Sequence, residues 1–134
     1  MKGSYVLLIE NKKNQTIQIG KIGRLSFKKG FYVYVGSAMN SLNGRINRHL
    51  RLEKKLHWHI DYLLQYAEVI DVFYKETNEK IECDIAKKFG EKLESMTDFG
   101  CSDCKCKSHL FYGKKYEIVE EISNLNMKQF QKFT

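Results

Sequence analysis

The stretch from Phe31 to Arg51 changes its hydrophobic period midway, and that change restricts the fold more than any other feature of the chain. Phe31-Tyr32-Val33-Tyr34-Val35 is aromatic and β-branched, which favours a pleated strand. Gly36-Ser37 then permits a sharp turn. Beyond it Leu42, Ile46 and Leu50 recur at four-residue intervals, the spacing of one helix face. Arg45, Arg48, His49 and Arg51 crowd the remaining positions, and Arg45 and His49 point the same way. A tyrosine at a strand end, a glycine turn and a basic helix face make a surface suited to phosphate. The same succession also serves small α/β domains that hold no ligand there.

The flanking segments predict a small α+β fold, a mainly antiparallel sheet flanked by helices. Ser4 to Glu10, SYVLLIE, is apolar enough for a strand buried on both faces. Thr16 to Ile22 alternates like a half-exposed strand, and the polar turn between the two predicts that they pair as a hairpin. Leu25-Ser26-Phe27 and Lys28-Lys29-Gly30 read as an irregular bend. Ile60 to Leu64 predicts a short helix with His57 and Asp61 on one face, and Val69 to Lys75 a further strand. Thr77-Asn78 offers an N-cap for a helix from Glu79 to Lys92, with Ile81, Ile85 and Phe89 toward the core. Tyr116 to Ile122 suits either strand or helix. Asn126 to Phe133 reads as a short terminal helix, with Met127, Phe130 and Phe133 packing inward.

At 134 residues the chain has the length of a single domain, 1–134. Its apolar runs are too short to span a bilayer, and no charged-apolar-small pattern opens it, so the expected compartment is the cytoplasm. The net charge of +7 is uneven: between Lys12 and Lys55 eleven Lys or Arg face one acid, Glu53. The remainder carries twelve basic and fifteen acidic residues, so the positive field belongs to the N-terminal part. That asymmetry points to nucleic acid as partner rather than to a membrane, with Lys28, Lys29, Ser37, Arg48, Arg51, Lys54 and Lys55 along the phosphate track. A solvated basic face has the same composition.

Two segments carry metal-competent residues. His57 and His59, two apart around Trp58, would ligate a metal from an extended chain or serve as hydrogen-bonded structural groups. Trp58 itself would stack on a base or join the core. Cys101, Cys104, Cys106 and His109 fall within nine residues, with Cys83 as a distant further ligand. Without an export signal these thiols are expected reduced, so the segment reads either as a structural zinc site or as buried free cysteines beside a loop histidine.

Tyr34-Val35-Gly36, Ser37, Leu42 and Arg45-Ile46-Asn47-Arg48-His49 resemble the second half of the GIY-YIG nuclease motif, and Gly3-Ser4-Tyr5 resembles the first. With HWHIDYLL, the Glu82-Cys83 pair and the cysteine segment, residues 3–112 are similar to a small stand-alone, Uri-like branch, the domain-of-unknown-function family 123. Residues 113–134 then form a C-terminal extension. The two tyrosines stand farther apart than is usual in that superfamily.

The resemblance implies a metal-dependent endonuclease acting on phosphodiesters, foremost DNA. It implies that Tyr5 activates a water, that His49 or metal-bound solvent relays the proton, and that Tyr34 orients water or phosphate. Arg45 would neutralise phosphate charge, and Glu82 would bind one Mg²⁺ or Mn²⁺. Taken alone, Glu82 reads as a surface residue of a charged helix. A repair protein is the partner implied, because the branch also occurs fused to a base-excision endonuclease. The superfamily's asparagine downstream of the metal glutamate has no counterpart between Cys83 and Ser123, where Ser108 and His109 are the available stand-ins. The alternative function is a non-catalytic nucleic-acid-binding domain of the same fold; a zinc-stapled interaction module is a third.

Overall fold

The fold is built outward from one strand that is apolar on both sides. The computed structural model describes residues 2–100 and 106–131. Strand β1 (Gly3–Asn11) lies inside a six-stranded antiparallel sheet, between β4 (Gly30–Ala38) and β5 (Glu68–Glu76). β7 (Leu110–Gly113) and the two-residue β6 (Glu94–Ser95) extend the sheet beyond β4, and β8 (Lys128–Gln129) extends it beyond β5.

Because side chains alternate along a strand, β1 feeds two cores. Tyr5, Leu7 and Ile9 pack with Leu42 and Ile46 of α1 (Leu42–Leu50) and with Ile60 and Leu63 of α2 (His59–Leu63). Val6 and Leu8 pack on the opposite face with Ile85, Ala86 and Phe89 of α3 (Glu82–Lys92) and with Ile118 and Ile122 of α4 (Lys115–Ser123). Each such aliphatic or aromatic side chain stabilises the fold by roughly 1.5–3 kcal/mol when fully buried. The result is the expected mixed α+β architecture, a central antiparallel sheet flanked by four helices. None of the helices among the described residues is long and apolar enough to cross a membrane.

Three local expectations are corrected. Ser4–Glu10 and Thr16–Ile22 do not pair, because β4 and β5 occupy both edges of β1. Instead β2 (Gln15–Ile19) folds onto β3 (Gly23–Phe27), Ile17 facing Leu25, and this hairpin seats Ile17, Ile19 and Phe27 on the first core. The excursion therefore lengthens the sequence between Tyr5 and Tyr34 without parting their strands: Tyr5 stands opposite Gly36, and Leu7 opposite Tyr34. Gly36 is needed there, since a methyl group in its place would overlap the Tyr5 ring.

The second correction concerns α3, which begins at Glu82 rather than Glu79. Thr77 Oγ1 accepts the Glu79 N–H at 3.1 Å, closing a local turn in place of a helix cap. Glu82 consequently occupies the first turn, where the helix dipole favours a carboxylate. The third concerns the C-terminus. Among the described residues after Asn126 there is no helix; Lys128 and Gln129 pair with Tyr74 and Phe73, and the Phe130 N–H bonds Val72 O at 2.8 Å. β5 would otherwise present unpaired backbone along its edge, and this short strand covers part of it. Met127 and Phe130 do pack inward, on opposite cores, whereas Phe133 lies outside the described residues. Tyr116 to Ile122 is helical, within α4.

Candidate active site

A cleft of about 370 Å³ opens beside the start of β1 and the end of β4, where Tyr5, Tyr34, Ser37, Arg45 and Glu82 meet. His49 lies beneath it, 2 % exposed, because the buried stripe of α1 runs Leu42, Ile46, His49 and leaves Leu50 half-covered. Ser41 caps this helix by accepting the Gly44 N–H at 3.0 Å. The Tyr5 hydroxyl and His49 Nε2 are 2.6 Å apart. Burial lowers the His49 pKa to about 3, with Lys54, Arg48 and Arg45 pushing the same way against Asp61. His49 is thus neutral at neutral pH, and in the tautomer that carries its proton on Nδ1, Nε2 accepts from the Tyr5 hydroxyl. The His49 Nδ1 has no hydrogen-bond partner among the described residues. Burial raises Tyr5 well above an ordinary phenol, while Arg45 opposes the shift by charge and hydrogen bond. Tyr34 is raised in the same direction, again chiefly by burial.

A folded-state pKa below the unfolded one means that the unfolded chain binds more protons as the pH falls from about 6.5 toward 3. Stability should therefore drop by about 2 kcal/mol from this group between pH 7 and pH 5, above the range where carboxylates titrate. Urea melts of the wild type and of His49→Gln at the two pH values check it. The variant should lose most of that dependence; an equal dependence in both would mean that His49 is charged when folded.

Arg45 has two further contacts. Its Nη1 donates to Ser37 O at 3.0 Å, and its guanidinium carbon sits 4.3 Å above the Trp58 ring. Arg48 lies over the same ring, also at 4.3 Å, so one indole carries two cations. Arg48 is fixed in turn by Asp61, which is fully buried and accepts its fork at 2.9 and 3.0 Å. Asp61 Oδ2 also accepts the His57 and Trp58 N–H groups, both at 2.8 Å. Burial alone would raise the Asp61 pKa, but these bonds outweigh it and hold the carboxyl below its usual range.

Glu82 closes the cleft on the α3 side. Its Oε1 accepts the Ser37 hydroxyl at 3.0 Å, and Oε2 lies 3.3 Å from His109 Nδ1. Burial raises its pKa, yet His109, Ser37 and Arg45 together bring it below the ordinary value. An ionised, one-quarter-exposed carboxylate at a cleft edge suits Mg²⁺ or Mn²⁺, which keep several waters and take few protein ligands. Next to it Cys83, Cys106 and His109 each bring one ligand atom, all within 4.8 Å of one another. Of the expected zinc set, Cys106 and His109 are in this group, joined by Cys83, while Cys101 and Cys104 lie outside the described residues. His59 Nδ1 accepts the Gly100 N–H at 2.9 Å, the structural alternative for that histidine.

The basic residues divide. Lys28 and Lys29 precede β4, roughly 26 Å along the strand from Ser37, and Lys28 pairs with Glu94 at 3.1 Å. Lys54 Nζ donates to the carbonyls of Arg48, His49 and Arg51, capping the C-terminus of α1. Arg51 and Lys55 are exposed. Lys80, an exposed residue just before α3, lines the cleft although no periodicity or motif marks it. Asp61 was readable only as one face of a helix; an acid inside the apolar run Ile60–Leu64 was the available signal for a buried ion pair.

No curated protein and no solved structure matches the chain. The family model described as domain of unknown function DUF123 matches residues 4–132, nearly its whole length, and the chain belongs to that family.

Proposed function

We propose that the protein is a metal-dependent endonuclease of the GIY-YIG type that hydrolyses phosphodiester bonds in DNA. The observation that supports this reading is the convergence of Tyr5, Tyr34, Arg45 and Glu82 on one cleft, with His49 2.6 Å behind the Tyr5 hydroxyl. In hydrolysis a water oxygen attacks phosphorus, the bond to the leaving ester oxygen breaks, and the water proton must be taken up. Tyr5 accepts that proton as its own passes to His49 Nε2, so no isolated phenolate forms in a buried place. A bound phosphate brings negative charge beside His49 and offsets the burial that makes it a weak base. The Arg45 fork fits two phosphate oxygens. Tyr34 orients the water or the phosphate.

Glu82 is the residue that would hold Mg²⁺ or Mn²⁺, and that ion supplies charge neutralisation at the phosphate and at the leaving oxygen. In this reading His109 takes the place of the superfamily's asparagine, bracing Glu82 Oε2 while Ser37 braces Oε1.

The test is cleavage of labelled duplex, branched and single-stranded DNA, with matched RNA, in Mg²⁺ and in EDTA. Metal-dependent cutting of at least one DNA substrate is expected. Tight binding across the panel without cutting would instead establish a non-catalytic binding domain.

The phosphate track is tested separately, by the salt dependence of duplex affinity in EDTA. Each neutralised phosphate contributes about −0.9 to the log–log slope. Lys55→Ala and Lys80→Ala should each flatten the slope by about one unit whatever the probe sequence, because phosphate contacts carry no base identity. Lys128→Ala, at the far edge of the sheet, should leave it unchanged. Equal slopes in all three would remove the cleft side as the binding face.

A further inference from the structure

We propose that Cys83, Cys106 and His109 hold a zinc ion that ties the start of α3 to the segment leading into β7. The three residues come from two stretches far apart in sequence, and their ligand atoms already lie within 4.8 Å of one another. Among the described residues they are the group of His, Cys, Asp and Glu side chains gathered closely enough for a metal.

The donor set selects the ion. Two thiolates and an imidazole are ligands for zinc, not for magnesium or calcium, and three protein ligands suffice when a fourth position takes solvent or another donor. Two thiolates and Zn²⁺ sum to zero charge, which suits a site whose cysteines are half-covered and whose histidine is 2 % exposed.

The histidine is also prepared for the role. Its backbone is pinned on both sides: His109 N donates to Phe99 O at 2.8 Å, and Val35 N donates to His109 O at 2.9 Å. Its Nδ1 lies 3.3 Å from Glu82 Oε2, so ligation through Nε2 would leave the carboxylate as the outer partner of the ring. Glu82 thereby links this site to the cleft: with His109 held by the metal, the carboxylate that lines the cleft has a fixed neighbour. The zinc assignment stands whether or not the cleft cuts DNA.

Protein made with zinc available and kept reduced should carry about one zinc per chain by elemental analysis. Apo protein titrated with Co²⁺ should develop thiolate-to-cobalt charge-transfer absorption, reduced by roughly half in Cys83→Ser and in Cys106→Ser, since each removes one of two thiolates. Glu82→Gln should keep the band but weaken zinc affinity ~10–100-fold, as loss of an outer partner does. His109→Gln should weaken it further. Far-ultraviolet circular dichroism of each apo form separates lost ligation from lost folding, and the wild-type titration needs no variant. Metal-free protein with no cobalt band, iron or copper in place of zinc, a Cys83–Cys106 disulfide in the reduced preparation, or undiminished zinc in folded Cys83→Ser and Cys106→Ser would each overturn the assignment.

Discussion

Arg45→Ala and Glu82→Gln should each lower the rate of metal-dependent DNA cleavage by roughly 100- to 1,000-fold, the cost of removing one preorganised group from a developing charge. Tyr5→Phe should fall by ~10²–10⁴, the range for a lost proton acceptor, while its ring still packs against Gly36. The three variants differ in what else they change. Glu82→Gln should leave binding in EDTA near wild type, because the metal does not hold the substrate there. Arg45→Ala should weaken binding as well, having lost a phosphate fork. Single-turnover rates at saturating protein, paired with affinities in EDTA, distinguish the two. Wild-type rates in all three would place the chemistry elsewhere.

The largest expected effect on stability lies outside the cleft. Asp61→Ala strips Arg48 of its carboxylate and frees the two backbone N–H groups that this fully buried side chain accepts. Breaking a buried pair from one side costs about 3–5 kcal/mol. A domain of this size has only about 5–15 kcal/mol in total, so the melting temperature should fall by roughly 10–20 °C. Arg48→Ala should cost a similar amount, and Arg48→Leu with Asp61→Leu less than either single change, since no buried charge is then left unpaired. Thermal melts of the four proteins decide it; a loss below about 1 kcal/mol in Asp61→Ala would mean that water reaches the site.

What could be read from the sequence was local. β1, β4 and α1 carry enough apolar residues in period for their positions to be visible in advance. Pairing is different, because Tyr5 meets Gly36 only after the intervening residues have folded out as their own hairpin. β8 has two residues and no period to detect, and the Thr77 turn imitates a helix start three residues ahead of the real one. At the cleft, residue type alone groups His49 with the cations of α1. Its spacing from Leu42 and Ile46 already put it on the buried stripe, where it is neutral. Arg48 reads as a phosphate contact until Asp61 is seen beneath it, and no spacing rule joins residues on separate helices. Cys83 stood apart from the other cysteines in sequence, so only the packing of α3 against β7 brings it to Cys106 and His109.

The contact of Arg45 and Arg48 with Trp58 has an optical consequence. Trp58 is the chain's one tryptophan, so the ultraviolet emission of the intact protein comes chiefly from an indole in contact with two guanidinium groups. Arg48 is anchored to Asp61, while Arg45 borders the cleft. An anion that draws Arg45 toward itself removes one cation from the ring and leaves the other where it was. Filling of the cleft is thereby translated into a change of intrinsic fluorescence, and the protein carries its own unlabelled probe of occupancy.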